Sequence, residues 1–474
     1  MMSSRVQALV RSRRQEIAYS LGGFAQSILG TLHGLFSVIL FTNVVKINPS
    51  YLIGGQVAYA IWNALNDPVF GWMIDHSADT SSRRLPVLKY GGPMWCMTFM
   101  GTFYPWSYDG QSYLAAAHYL FSIFCYDGFL TYVLIVKCAL FADLCVDSED
   151  RTRLNLYNAW FSLAGSSMAT IAYYYWDEEN LTPFRTLAFF FCSLSAVAWY
   201  ASGSLLVMPE HNKYSEPHVL PAVEKSYVEE FWEWFKFAGQ LLRQRSFVLY
   251  VGMNWMMNFN VSLSGSFFVF LDKYLMVHLM PHRYYILITS LCLYLPKFGI
   301  QMLTPVADRL GLYRTILYCT YGLICVGSLS VVAGVEHYFF WGMMVVVQKV
   351  LFSSWGFYDL VMADIIDEDS VLHNRKESVA TSVHGVQSLL VKPSSSFAAM
   401  FGVYLLSSNG LQEKGSSTAP TSGLQEAVYL LTFLVPLAFT FFQLVIWSQF
   451  DLTGRKLQNI KGKLKENQRG GADV

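Results

Sequence analysis

Charged residues are scarce in this chain of 474 residues: they make up 14% of it, whereas hydrophobic residues make up 54%. Soluble proteins carry about 25% charged residues, so the composition argues against a soluble enzyme. Lys plus Arg and Asp plus Glu balance at 33 each. Because the chain has no excess of positive charge, it is not expected to bind nucleic acid.

CxxC pairs are also lacking, and no signal-peptide pattern is evident. The eight cysteines never form a CxxC pair and lie within or beside apolar segments, so we expect neither a metal site nor a disulfide framework. The basic N-terminus leads into an apolar run from Ile17 to Val45. That run is too long for the apolar region of a signal peptide and is predicted to be the first membrane span.

Long apolar runs dominate what is present. A membrane-spanning helix needs about 20 mainly apolar residues, and twelve such segments occur, at 17–43, 51–74, 88–107, 112–136, 153–175, 184–207, 247–271, 284–304, 313–334, 337–360, 379–406 and 425–450. They predict an all-α membrane protein. The expected organisation is a cytosolic N-terminus (1–16), a six-helix bundle (17–207), a cytosolic central loop (208–246), a second six-helix bundle (247–450) and a basic cytosolic tail (451–474).

The distribution of positive charge predicts the orientation of the chain in the membrane, and a repeated motif indicates that its two halves are related. Of the 33 Lys and Arg residues, 25 fall on segments that lie inside if the N-terminus is inside, and five fall on the outer loops; this predicts that both termini are cytosolic. ALFADLCVDSEDRTR (139–153) in the first half resembles VMADIIDEDSVLHNRK (361–376) in the second. Repeated halves are typical of secondary transporters that alternate access to a central site.

The central loop and the tail receive different predictions. YVEEFWEWFKFAGQLLRQR (227–245) carries apolar residues at helical spacing and predicts an amphipathic helix on the inner membrane surface. The tail, GRKLQNIKGKLKENQRGG, is basic and poor in apolar residues, so it is predicted to be disordered and close to anionic lipid.

Polar residues interrupt the second predicted span, IWNALNDPVFGWMID (61–75). Asn63 and Asp67 lie four residues apart and share a helix face, while Pro68 has no N–H for the carbonyl of Ala64. These oxygens could bind Na⁺, or the Asp67 carboxyl could bind a proton; polar packing is the alternative. Lys137, near an inner span end, is expected to pair with a neighbour or to reach the interface.

Four stretches resemble the glycoside–pentoside–hexuronide:cation symporters of the major facilitator superfamily. They are WNALNDPVFGWMID (62–75), DRTRLNLYNAWFSLAG (150–165), ADIIDEDSVLHNRKES (363–378) and VQSLLVKPSSSFAAMFG (386–402). Within this family, CYDGFLT (125–131) and DRTRLNLY (150–157) look closest to the orphan transmembrane protein 180 branch. The resemblance implies the major facilitator fold, with twelve transmembrane helices in two pseudo-symmetric bundles.

The resemblance also implies roles for particular positions. Cation-coupled members carry acids at the positions of Asn63 and Asp67, so half of that site is present. Sugar-transporting members carry acids at Ser27 and near Leu134 and an arginine at Asn158, all of which are absent here. Lys392 matches the lysine of the family's eleventh helix, and Pro393 is predicted to break that helix beside it.

We therefore expect a secondary transporter that moves a small organic solute, such as a carbohydrate, with H⁺ or Na⁺ and without a bound cofactor. Asp67 and Asn63 form the expected cation site. The expected substrate cavity contains Asp127, Lys392, His384, Asn158, Gln26, Ser27 and Trp62. The expected cytosolic gate contains Asp75, Arg83, Arg84, Asp308, Arg309 and Arg314.

Several alternatives stay open. Without the charged sugar-binding residues, the chain could instead be a receptor or scaffold derived from a transporter, or could carry an anionic amphiphile such as a lysolipid. The expected partners are the solute and the lipid bilayer, and the protein is expected to be a monomer of the plasma membrane rather than of an internal membrane. Asn180, in an NLT sequence on an outer loop, is a possible glycosylation site.

Overall fold

A computed structural model describes residues 4–75, 84–144, 148–207, 227–373, 380–411 and 420–470, although some side chains within these ranges, among them those of Asp67 and Asp75, are outside the description. The described residues form helices and no strands. The α-helices are α1 (Ser4–Ile39), α2 (Pro49–Asp75), α3 (Gly92–Thr102), α4 (Tyr113–Leu144), α5 (Ser148–Thr170), α6 (Thr182–Leu205), α7 (Tyr227–Leu241), α8 (Arg245–Ser266), α9 (Phe268–Leu271), α10 (Val277–Leu279), α11 (His282–Tyr294), α12 (Gly299–Leu310), α13 (Leu312–Ala333), α14 (Tyr338–Phe352), α15 (Tyr358–Leu372), α16 (Ala380–Val391), α17 (Pro393–Ser408), α18 (Ser422–Trp447) and α19 (Gly454–Gly470).

Most described residues of the predicted spans are helical, and the chain is a multi-pass membrane protein. Seven helical segments of the described chain are long and apolar enough to cross a bilayer: Arg13–Val44, Tyr113–Cys138, Thr182–Leu205, His282–Leu310, Leu312–Ala333, Val383–Ser408 and Ser422–Trp447. Helices are expected in a lipid bilayer, which offers no water to hydrogen-bond with the backbone, because a helix satisfies its backbone hydrogen bonds within one segment.

The described residues divide into two compact units. The first contains residues up to 207 together with Gly265–Val269. In it, α1 packs against α5 and α6, and α2 and α3 pack against α4. Glycines permit the closest approaches: a Cβ at Gly165 would lie 2.3 Å from the carbonyl oxygen of Phe24. Small residues at helix contacts are the usual means of packing in a membrane, where burial of apolar surface does not drive association.

The second unit contains the other described residues from 227 onward. Its α13 packs against α14 and α18. The segment predicted to be an amphipathic helix forms α7, whose Ala238 and Leu241 are buried in an apolar cluster with Phe247 and Ile365.

The prediction of a disordered tail is wrong. The tail forms helix α19, which packs against α15. Leu452 and Ile460 are buried in the same apolar cluster, with Leu457 packed against it. Within α19, Leu457 and Ile460 lie three residues apart and so share one helix face, which gives the helix a narrow buried face despite its low apolar content.

Candidate functional site

A stripe of polar residues joins α2 to α4 in the first unit. On α2 the stripe contains Gln56, Tyr59, Asn63 and Asn66, whose spacing places them on one helix face. On α4 it contains Tyr119, Asp127 and Thr131, and Gln56 donates a hydrogen bond to the Tyr119 hydroxyl. We call these seven residues the α2–α4 polar stripe.

Asp127 is the acidic centre of this stripe. Its side chain is 5% exposed, and Oδ1 accepts a hydrogen bond from the Tyr59 hydroxyl at 3.0 Å. Oδ2 accepts from Nδ2 of Asn66, which also donates to Thr131 Oγ1 at 3.2 Å. Donors from α2 therefore surround the carboxylate, and hydrogen bonds of this kind stabilise its charged form.

Three amide oxygens of the stripe have no hydrogen-bond partner among the described residues: Oε1 of Gln56 and Oδ1 of Asn63 and of Asn66. Asn63 is 5% exposed and Asn66 is 1% exposed, yet Oδ1 of each makes no hydrogen bond within the described part of the chain. A buried polar atom without a partner costs about 1–3 kcal/mol. The stripe thus combines unused oxygen acceptors with a carboxylate, and oxygens are the ligands that hard cations take.

The predicted partner of Asn63, Asp67, has its side chain outside the described atoms. Its backbone is helical, and α2 continues through Pro68 to Asp75. The assignment of Asp67 to the cation site stays a prediction.

A cavity of about 260 Å³ lies in the same unit. It is lined by Gln26, Ser27, Gly30 and Thr31 of α1, Trp95 of α3, Leu130 and Leu134 of α4, and Ser166 of α5. Two predicted substrate residues, Gln26 and Ser27, therefore line a cavity, together with the Leu134 position where sugar-transporting relatives carry an acid. This lining offers hydroxyl groups and an indole side by side.

Lys137 lies on α4 three residues after the cavity-lining Leu134, and it reaches the cavity through its contact with Gln26. The side chain is 5% exposed. Its Nζ donates to Gln26 Oε1 at 3.0 Å and lies 5.3 Å from the centre of the Tyr19 ring. Lys137 therefore pairs with a neutral amide rather than with an acid.

Two further residues predicted for the cavity pack against helices of the same unit. Asn158 faces α1, where a Cβ at Gly23 would lie 2.2 Å from Asn158 Oδ1. Trp62 packs its ring 5.7 Å from that of Phe124 and 6.4 Å from that of Phe70. Neither is among the residues that line the cavity.

The second unit contains the other two predicted substrate residues. At the predicted helix break, α16 ends at Val391 and α17 begins at Pro393, but Lys392 between them keeps helical backbone angles (φ −54°, ψ −36°). The helical path therefore continues through Lys392, within the segment Val383–Ser408. Lys392 is half-buried and His384 is exposed.

The predicted gate is only partly within the described atoms. Arg84 is half-buried, and Asp308, Arg309 and Arg314 are exposed, whereas Arg83 and the Asp75 side chain lie outside the description. Asn180, the possible glycosylation site, is exposed, and its Oδ1 accepts from the backbone N–H of Thr182 at 3.1 Å.

Ion pairs instead connect the tail to α15. Lys456 Nζ lies 2.9 Å from Glu368 Oε1, and Lys461 Nζ lies 2.8 Å from Asp364 Oδ1. Glu368 also accepts hydrogen bonds from Ser246 and from Gln244 Nε2, the latter at 2.9 Å. The ADIIDEDS stretch thus serves as the docking surface for α19.

Sequence reasoning missed Tyr59 and Asn66 as partners of Asp127, and it missed the position of Lys137 at the cavity. Asn66 did carry a signal, because it stands three residues after Asn63 and so shares its helix face. Which face of α4 meets α2 could not be read from apolar runs alone.

Comparison with known proteins agrees with this architecture. A family model described as MFS/sugar transport protein matches residues 18–454. The chain is 28% identical to transmembrane protein 180 of Gallus gallus, with 92% of each chain covered. It is 27% identical over 168 residues, or 33% of this chain, to an uncharacterized symporter of Synechocystis, of which 30% is covered.

A solved structure of the nucleoside transporter NupG is similar in fold, with a TM-score of 0.60, 11% identity, and coverage of 92% of this chain and 98% of that one. Because the family model spans nearly the whole chain, this protein belongs to the MFS/sugar transport family of membrane transporters.

Proposed function

We propose that this protein is a secondary active transporter that moves a small organic solute together with H⁺ or Na⁺ by alternating access. The proposal includes twelve membrane spans in two pseudo-symmetric six-helix bundles, with both termini in the cytosol. Membership of a transporter family and the positive charge bias of the predicted inner segments support it. The partial similarity to an uncharacterized symporter supports coupling to a cation.

The observation that carries the coupling proposal is the α2–α4 polar stripe. The buried carboxylate of Asp127 accepts a hydrogen bond from Asn66, and Asn63 lies three residues before Asn66 on the same face of α2. Oδ1 of each asparagine has no partner within the described residues. Ionisable groups inside a membrane are costly and mark ion or solute pathways. A cation bound at the stripe would neutralise the carboxylate and use the unpartnered oxygens of Asn63 and Asn66.

Asp127 is accordingly proposed as a member of the cation site, in addition to Asp67 and Asn63. Its hydrogen bonds from Tyr59 and Asn66 hold it against α2, the helix that carries the other two. Protonation of Asp127 would remove the charge that these donors stabilise. Cation binding would therefore change how α2 and α4 hold together, and such a change can bias one transporter conformation over another.

The cation site is tested by measuring thermal unfolding of the purified protein over a matrix of pH and Na⁺ concentration. We expect cation-dependent stabilisation of the wild type, since a ligand that binds the folded state raises its stability. Asp127→Asn should abolish this dependence and Asn66→Ala should weaken it.

Asn260→Ala is the matched control for Asn66→Ala. Asn260 is also fully buried, and its Oδ1 also lacks a partner among the described atoms, but it lies in the second unit and donates to Thr440 Oγ1 at 3.2 Å. We expect it to keep the cation response. An unchanged response in Asp127→Asn would remove Asp127 from the site.

A further inference from the structure

The buried ammonium of Lys137 has no acidic partner in the described part of the chain. Its contacts are the Gln26 amide oxygen at 3.0 Å and the face of the Tyr19 ring, whose centre is 5.3 Å away. The buried acid Glu16, also on α1, forms its ion pair with Arg153. A charge removed from water is costly unless it is paired, so this lysine is held in a position that favours an anion.

The Lys137 ammonium lies next to the cavity, because it contacts a lining residue. Leu130, Leu134 and Lys137 are spaced by four and three residues and share a face of α4, and the two leucines line the cavity. From the other side, Gln26 both lines the cavity and accepts the Lys137 hydrogen bond. An anion in the cavity beside Gln26 would compete with Gln26 Oε1 for the Lys137 ammonium.

The remaining lining defines what surrounds the anionic group. Ser27, Thr31 and Ser166 supply hydroxyls, and Trp95 with the two leucines supplies apolar surface. A volume of about 260 Å³ is slightly below that of typical ligand pockets, which span roughly 300–1,000 Å³. The occupant is therefore small and has both polar and apolar parts.

We propose that this cavity binds a small organic anion whose carboxylate, or equivalent oxyanion, pairs with Lys137. The inference rests on the proposed transport function and identifies its solute class. It also gives Lys137, rather than an arginine at the Asn158 position, the role of the cation that recognises the solute.

The test measures binding to the purified full-length protein by calorimetry and by ligand-induced thermal shift. Matched probes separate the anionic group from the rest of the ligand: benzoate against benzamide, gluconate against glucose, and inorganic phosphate as an oxyanion without an organic body. We expect at least one organic anion to bind more tightly than its neutral counterpart. Phosphate alone should bind more weakly, because it leaves the apolar lining unfilled.

Variants at Lys137 identify the site. Lys137→Gln should weaken anion binding by roughly tenfold to a hundredfold, because a charged hydrogen bond is lost, whereas Lys137→Arg should retain part of it. Without ligand, Lys137→Gln should unfold at the same temperature as the wild type or higher, since an unpaired buried charge has been removed. A lysine with a purely structural role would instead lower that temperature.

Lys349→Gln provides the control for loss of a buried lysine. Lys349 is half-buried in the second unit, where its Nζ donates to Ser264 O and Oγ, each at 3.1 Å, and its substitution should leave anion binding intact. The proposal is overturned if neutral probes bind as tightly as the anions, if no anion binds, or if Lys137→Gln retains full anion binding.

Transport of the same probes into proteoliposomes separates this inference from the proposed function. Uptake of a neutral probe under a cation gradient would overturn the anion site while supporting the transporter. Anion binding that depends on Lys137 without any uptake would support the site and count against transport.

Discussion

Docking of the C-terminal helix α19 on α15 makes a quantitative prediction. Lys456 Nζ lies 2.9 Å from Glu368 Oε1, and the lysine side chain is 42% exposed while that of Glu368 is 6% exposed. A charged hydrogen bond to a buried group contributes about 1.5–3 kcal/mol, but an exposed ion pair contributes only about 0.2–1 kcal/mol. Because the lysine end of this pair is solvated, we expect an intermediate contribution on the order of 1.4 kcal/mol.

Lys456→Met tests this magnitude, since it keeps the unbranched apolar part of the side chain and removes its charge. About 1.4 kcal/mol corresponds to a tenfold change in an equilibrium constant, so α19 should open about ten times more often. Amide hydrogen exchange of α19 in lipid nanodiscs measures this opening directly. Apolar contacts of Leu457 and Ile460 should keep the helix partly docked.

Lys463→Met is the matched control on the same helix. Lys463 is exposed, so its substitution should leave exchange of the α19 amides within about twofold of the wild type. The reasoning is refuted if the two variants exchange equally, or if the α19 amides of the wild type already exchange at the rate of an unstructured peptide.

Two further predictions concern the tail and the packing of α1. Burial lowers the pKa of Lys456, but Glu368 and Asp451 raise it above the ordinary value of 10.5 overall; the contribution of Lys456 is therefore fully present below pH 10.5 and is lost as the pH rises through the folded-state pKa. A spin label on the cysteine of Gln458→Cys, with the other exposed cysteines replaced, should stay immobile from neutral pH up to about pH 10.5. Release of α19 near pH 8, seen as a mobile label, would contradict the assignment of this ion pair. Separately, Gly165→Ala should lower stability by about 1–3 kcal/mol, because its Cβ would lie 2.3 Å from a backbone oxygen. Gly34→Ala, with open space around the new Cβ, should be neutral or stabilising in the same thermal unfolding assay.

The helical build was predictable because it follows from length and apolarity. Runs of about 20 apolar residues must satisfy their backbone hydrogen bonds internally in lipid, and helices do so locally. The amphipathic helix α7 was predictable for a similar reason, since its apolar residues recur at helical spacing. The local sequence pattern was therefore sufficient to predict the helices.

Side-chain contacts between helices could not be predicted from the local sequence pattern. Asp127 lies 61 residues from Asn66 and Lys137 lies 111 residues from Gln26 in the chain. Their pairing depends on the rotation of each helix about its axis, which glycine contacts such as that at Gly23 help to set. The tail was mispredicted because tertiary contacts to Glu368 and Asp364 outweigh its weak apolar character.

Coupled transport is the central claim, and uptake into proteoliposomes tests it most directly. With a solute identified by the binding screen, uptake is compared with and without an imposed inward gradient of H⁺ or Na⁺. The account predicts that one gradient accelerates uptake by the wild type, and that Asp127→Asn loses this acceleration while Asn260→Ala keeps it. Uptake that ignores both gradients, or acceleration that survives in Asp127→Asn, would contradict it.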